Sequence, residues 1–132
     1  MQKTEFLTIY ATYGNLDIVR QTLPSVVQET LRNDARLIVH DSTELHHGQE
    51  EKWSYLRQME QEHGFFLILS TNLSMAHARN LCLHTGQELY APDYIAIMED
   101  DHGYNEGLIG EMLSAPKTYY RKPSPHRPRI AL

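Results

Sequence analysis

Phe65-Phe66-Leu67-Ile68-Leu69 carries an apolar side chain at every position, between Gly64 and the polar run Ser70-Thr71-Asn72. Alternate residues of a strand face opposite sides of its sheet, so a strand with no polar face is one covered on both sides, as in parallel sheets layered by helices. The stretch therefore predicts an interior strand of an α/β fold. Working outward, Gln49–His63 reads as a helix with Trp53, Leu56 and Met59 on one side, stopped by Gly64. On the other side, Ser74 is placed to cap a helix from Met75 to about Thr85, ended by Gly86.

The same alternation extends to both ends of the chain. Phe6–Tyr10 and Arg36–His40 read as strands, and between them Leu16, Val19, Leu23, Val26, Val27 and Leu31 recur at helical spacing after a capping Asn15. Pro24 lies within that run and is expected to kink or divide the helix. Tyr94-Ile95-Ala96-Ile97-Met98 makes a fourth strand, and Leu108–Leu113 a short closing helix. Four strand–helix alternations imply an open, mainly parallel sheet of about four strands with flanking helices and right-handed crossovers. Ligands of such sheets bind outside the carboxyl ends of the strands, which places Thr12-Tyr13, Asp41-Ser42, Thr71-Asn72 and Glu99-Asp100-Asp101 along one edge.

Composition bounds what that edge serves. The chain has 132 residues, 41% of them hydrophobic, which suits one folded domain over residues 1–113. Residues 114–132 form a basic tail whose Pro116, Pro123, Pro125 and Pro128 forbid a continuous helix, so an extended solvated tail is expected. All 17 acidic residues lie at or before Glu111, together with seven of the 12 basic ones. An acidic body argues against a nucleic-acid partner, because affinity for phosphate backbones comes from Lys and Arg. No apolar run approaches the roughly 20 residues that span a bilayer, and Met1-Gln2-Lys3-Thr4-Glu5 lacks a signal-peptide pattern, so a cytoplasmic location is expected. Cys82, the one cysteine, sits in Leu81-Cys82-Leu83 and reads as a buried, inert thiol.

Glu99, Asp100 and Asp101 carry the strongest chemical signal. Clustered carboxylates repel one another unless a cation, water or basic groups compensate. Strand geometry would send Glu99 and Asp101 to one side and Asp100 to the other, giving an oxygen-rich site suited to Mg²⁺ or Mn²⁺. The competing reading is a solvated turn. His102 follows directly and either completes such a site or is an exposed turn residue, whereas His46-His47 read as solvent-facing. The chain has neither a Gly-x-Gly-x-x-Gly fingerprint nor a P-loop, and no Ser-His-Asp order stands out, which disfavours dehydrogenase, kinase-like and triad-hydrolase chemistry.

Taken in order, the first strand with Thr12-Tyr13, the second with Asp41-Ser42, the segment Asn72-Leu73-Ser74-Met75-Ala76-His77-Ala78-Arg79-Asn80, and Tyr94–Met98 with Glu99-Asp100-Asp101 resemble the family 2 glycosyltransferases over residues 5–113. The resemblance implies the Rossmann-like, nucleotide-sugar-binding half of a GT-A domain and a nucleoside-diphosphate sugar, UDP- or GDP-linked, as partner. It carries nucleoside contact over to Thr12, Tyr13 and Asp41 and anion contact to Arg79. Glu99-Asp100-Asp101 resembles the family's Asp-x-Asp element, with Asp101 and Glu99 as metal ligands and Asp100 beside the nucleotide. Two departures stand out: Glu99 replaces the usual first Asp, and no carboxylate follows Glu111 to act as general base on the acceptor hydroxyl. The expected function is donor binding through a divalent metal with glycosyl transfer in question; the alternative is a non-catalytic nucleotide-sugar-binding or interaction module lacking the acceptor half. An uncovered fourth strand would invite pairing with another copy, so either a homo-oligomer or coverage of that edge by the tail is expected.

Overall fold

The structure, a computed structural model, describes residues 4–13, 15–42, 49–70, 74–100, 107–114 and 129–131. Strand β1 (Phe6–Thr12) leads to helix α1 (Leu16–Arg32), β2 (Arg36–Asp41), α2 (Gln49–His63), β3 (Phe66–Leu69), α3 (Met75–Tyr90), β4 (Tyr94–Glu99), α4 (Leu108–Ser114) and β5 (Arg129–Ala131). The sheet order is β3-β2-β1-β4-β5, and every neighbouring pair is parallel. The expected open parallel sheet with flanking helices is therefore what the chain forms. No helix among the described residues is long and apolar enough to cross a membrane.

Topology explains why there are two cores. From β1 the chain adds β2 and then β3 in one direction, and then returns across the sheet to place β4 on the far side of β1. Crossovers of one hand put helices on opposite faces when the direction of addition reverses. On one face Val19, Leu23, Val26 and Val27 of α1 and Leu56 and Met59 of α2 pack with Phe6, Tyr10, Leu37 and Val39, joined by Ile109 of α4. On the other face Cys82 of α3 packs against Leu7, Ile9, Ile38 and Ile95. Each fully buried aliphatic side chain contributes roughly 1.5–3 kcal/mol, so burial on both faces dominates the stability of β1, whose seven residues are all buried.

Local signals set the helix ends. Asn15 accepts from the Ile18 backbone N–H at 3.1 Å and Ser74 from that of His77 at 3.3 Å, each satisfying an otherwise unpaired donor of the first turn. Gly64 ends α2 with φ +75, and its N–H reaches the Glu60 carbonyl at 2.7 Å.

Four expectations change in the folded chain. Pro24 does not divide α1, which runs as one 17-residue helix; the roughly 3 kcal/mol cost of an interior proline is offset by burial of Val19, Leu23, Val26 and Val27 on either side of it. Gly86 does not end α3, which continues to Tyr90 and closes on Ala91 in the left-handed region, φ 43. The glycine is there for packing: a Cβ at residue 86 would lie 2.4 Å from Leu7 Cδ2. The apolar strand at 66–69 is not interior but occupies the sheet edge, with Phe66 38% exposed. Finally, the tail is not extended and solvated throughout: Arg129–Ala131 pairs with Tyr94–Ala96, which is the expected coverage of the β4 edge by the tail.

Candidate functional site

A parallel sheet has a switch point where adjacent strands are followed by connections that leave in opposite directions, and a crevice opens there outside their carboxyl ends. In this order the switch falls between β1 and β4. Their register pairs Ala11 with Glu99, so the next residues, Thr12 and Asp100, meet at the mouth of the crevice. Thr12 Oγ1 donates to Asp100 Oδ2 at 2.8 Å, and the Tyr13 backbone N–H donates to the same oxygen at 3.2 Å. From α1, Thr22 Oγ1 donates to the Asp100 carbonyl at 2.8 Å. The single threonine proton is shared between that carbonyl and the Ile18 carbonyl at 3.1 Å, so the Tyr10 hydroxyl, 2.6 Å from Thr22 Oγ1, is the donor of its own bond. Asp100 is thus fixed through both side chain and backbone.

Glu99 leaves the strand on the other face, as alternation requires. Its Oε1 accepts from Arg79 Nη2 at 3.2 Å, and both side chains are about two-fifths exposed (43% and 41%). Tyr13 stands close enough to Arg79, Glu99 and Asp100 to feel their charges. Burial pushes its phenol above the ordinary tyrosine value, with Arg79 opposing and the acids adding to the rise. Its hydroxyl is enclosed and meets no hydrogen-bond partner among the described residues. Thr12, Tyr13, Arg79, Glu99 and Asp100 are therefore brought together at one crevice.

Asp41 stands apart from that group. Its carboxylate is fully buried; Lys52 Nζ lies 2.7 Å from Oδ1, and Trp53 Nε1 donates to Oδ2. Lys52 is itself only 2% exposed, so this is a buried ion pair closed by an indole N–H, and it ties the start of α2 to the end of β2. A nucleoside could share Asp41 only by entering this closed group. Beside it, His40 Nε2 lies 2.7 Å from Ser70 Oγ, which in turn donates to the Asp41 carbonyl at 3.3 Å. In that chain of bonds His40 Nε2 is the donor, and Nδ1, which meets no partner among the described residues, carries a lone pair, a cheaper orphan than an N–H would be. Burial lowers the His40 pKa, with Asp41 opposing in part. The Ser–His contact is therefore a lock between β2 and β3, and its orientation does not activate the serine.

Asp101 and His102, like the Thr71-Asn72 turn and His46-His47, lie outside the described residues. Among the described residues no group of three or more His, Cys, Asp and Glu is gathered to hold a metal. Cys82 is buried, and desolvation pushes its thiol up to about 12, as befits an inert core residue. Two hollows open at the opposite, amino-terminal edge of the sheet, one lined by Leu31, Arg36, His63, Phe65 and Tyr90 and the other by Thr4, Asn33, Asp34 and Leu113. Neither touches the crevice residues.

Two participants escaped the sequence reading. Lys52 shares the buried stripe of α2 with Leu56 and Met59 at i, i+4 and i+7, which was the available signal. Glu29 lies three residues beyond Val26 on the buried face of α1, and its carboxylate accepts from the backbone N–H groups of Gly107 and Ile109. The fold and crevice define an open parallel α/β domain of Rossmann-like arrangement with a polar switch point. Comparison with family models, with curated proteins and with solved structures yields no match that would narrow that class.

Proposed function

We propose that the chain binds a nucleoside-diphosphate sugar, UDP- or GDP-linked, at the β1/β4 crevice through Mg²⁺ or Mn²⁺, as the donor-binding half of a GT-A glycosyltransferase domain. The observation that carries this reading is the convergence of Thr12 and Tyr13 with Glu99, Asp100 and Arg79 at the switch point. Tyr13 offers a ring face to the nucleoside, and Arg79 offers a guanidinium to the diphosphate. Carboxylate oxygens are the donors that Mg²⁺ and Mn²⁺ prefer, so Glu99 fits such an ion in kind. Asp100 faces the other way and is held by Thr12 and Tyr13, so it serves the crevice by fixing its floor. The second metal ligand that the family resemblance implies is Asp101, a carboxylate of the same kind. A bound cation would supply charge to the departing diphosphate.

The second reading is donor binding without turnover. It rests on the absence of any Asp or Glu from residue 112 to 132, so that stretch supplies no carboxylate of the kind that the resemblance implies as general base.

Calorimetry with UDP and GDP, with and without Mn²⁺, tests the proposal. Metal-dependent binding, weakened at least about tenfold in Asp101→Ala by loss of a charged metal ligand, is the expected result. Folded protein that shows no metal-dependent binding, with Asp101→Ala indistinguishable from it, sinks the proposal. Sugar transfer that Asp101→Ala abolishes would in turn rule out the non-catalytic reading.

A further inference from the structure

The two edges of the sheet are closed differently. The β4 edge is taken by β5, whereas β3 pairs with β2 on one side and, among the described residues, with nothing on the other. The Ser70 N–H donates to the Asp41 carbonyl at 2.9 Å. Backbone groups along a parallel strand turn alternately to its two sides, so those of Ile68 also face β2, while those of Leu67 and Leu69 point out from the edge. Side chains alternate as well: Leu67 and Leu69 pack into the α1/α2 core and Ile68 into the α3 core, which puts Phe66, 38% exposed, on the α3 face. Helix α3 lies against β1 and β2 with Cys82 toward the sheet, and Arg79 on one flank reaches Glu99 of β4. Leu81 stands about 160° round the helix from Arg79, so it occupies the flank toward β3, where it too is 38% exposed.

We propose that the β3 edge binds a second copy of this chain: the β3 strands of two copies pair antiparallel about a two-fold axis at Ile68, Leu67 of each exchanges backbone hydrogen bonds with Leu69 of the other, and two five-stranded sheets become one. An axis normal to the sheet keeps both α3 faces on one side, so Phe66 and Leu81 of both copies gather along the seam. Charge selects this occupant. Although 22% of the chain is charged, no Lys, Arg, Asp, Glu or Pro occurs from residue 64 to 76, so the edge lacks the residues that guard exposed strands and offers nothing to a charged partner. A copy of the same edge meets it without like charges opposed, and it brings a strand already ordered by β2, which spares the ordering cost that a free peptide would carry. Two-fold pairing consumes both open edges, so assembly stops at the dimer. Phe66 and Leu81 stand outside the β1/β4 crevice, so association and donor binding are tested separately.

Analytical ultracentrifugation of the full chain over a range of concentrations provides the test. Wild type should show a reversible monomer–dimer equilibrium and nothing larger. Phe66→Lys and Leu81→Lys each enter the seam twice by symmetry, and each should weaken the dimer about tenfold or more. Gln28→Lys makes the same charge step on the exposed side of α1, on the other face of the sheet, and should leave the equilibrium where it is. Should Phe66→Lys fail to fold, Leu81→Lys, on the outside of a helix and away from the strand, carries the test alone. Amide exchange followed by NMR reads the same event at the edge: the Leu67 and Leu69 N–H groups should gain protection as the concentration rises. Protein that stays monomeric up to about 1 mM overturns the proposal. So does a dimer that the seam lysines leave intact, one in which the Leu67 and Leu69 amides exchange as fast as in the monomer, or growth past the dimer.

Discussion

At the ends of β2 and β3, Asp41, Lys52 and His40 are buried and bonded to one another or to their neighbours, whereas at the ends of β1 and β4, Arg79 and Glu99 form a pair with about two-fifths of each side chain in solvent. Both groups lie on one edge of one sheet. The difference is in what replaces water. Around Asp41 the protein supplies an ammonium, an indole N–H and a lid of helix α2, so the charge is settled within the fold. Around Glu99 the single described partner is an exposed guanidinium, and such a pair gains little because solvent screens it. Polar residues at a strand end therefore divide into those that hold the fold and those left open to solvent, and residue type alone does not tell them apart.

The comparison breaks most visibly at Lys52. Lys52→Met would leave the Asp41 carboxylate buried without its cation, a change that costs about 3–5 kcal/mol when one half of a buried pair is removed. Urea denaturation should report a loss of that size. Asp41→Asn in the same chain should restore part of it, because the amide keeps an acceptor for Trp53 and carries no charge. A loss below about 1 kcal/mol for Lys52→Met would mean that the pair is hydrated and that the two strand ends are alike.

A smaller effect follows from His40. Its folded-state pKa is lowered chiefly by burial, so the folded chain binds this proton less readily than the unfolded chain does. The stability that goes with the neutral ring is fully present above the ordinary histidine value of about 6.5 and is lost as pH falls through it toward the lowered folded value. For one such group the slope is at most about 1.4 kcal/mol per pH unit. Denaturation midpoints measured between about pH 7 and pH 5 should fall more steeply in wild type than in His40→Gln, which has no proton to gain there. Equal slopes would remove His40 from the closed group.

The sequence made the fold legible through period, and spatial order was what it left out. The runs read as strands at 6–10, 36–40, 65–69 and 94–98 coincide with β1 to β4 to within two residues at each end, and the capping Asn15 and Ser74 stand where the helices begin. The run at 66–69 nevertheless resembles an interior strand while lying at the edge, because periodicity reports on faces and says nothing of which strands are neighbours. Gly86 carries the signature of a helix stop, yet it is the place where α3 approaches Leu7, a distinction that depends on a partner 79 residues away. At the crevice, order along the chain sufficed to gather Thr12, Tyr13, Arg79, Glu99 and Asp100. It did not suffice for Asp41, because charged side chains are rarely buried and Lys52 gave no warning except its position on an apolar stripe. Glu29 was hidden for the same reason, since its partners are backbone groups that any sequence supplies.

The smallest effect on stability, and the sharpest contrast with Lys52, belongs to Arg79. Arg79→Met removes an ion pair of the same formal kind, but with more than a third of each partner exposed it should cost no more than about 1 kcal/mol in urea denaturation, and added salt should erase even that. An open pair is also easily exchanged: a phosphate group competes for the guanidinium with bidentate geometry, and a divalent cation competes for the carboxylate. On the proposed reading each ligand takes the half that the other would leave unpaired, so occupation by both avoids stranding a charge. UDP affinity in the presence of Mn²⁺ should then fall by about tenfold or more in Arg79→Met, out of proportion to its effect on folding. If instead stability falls by several kcal/mol while affinity is unchanged, Arg79 belongs with Lys52 among the residues that hold the fold, and the β1/β4 crevice loses its claim to an anion.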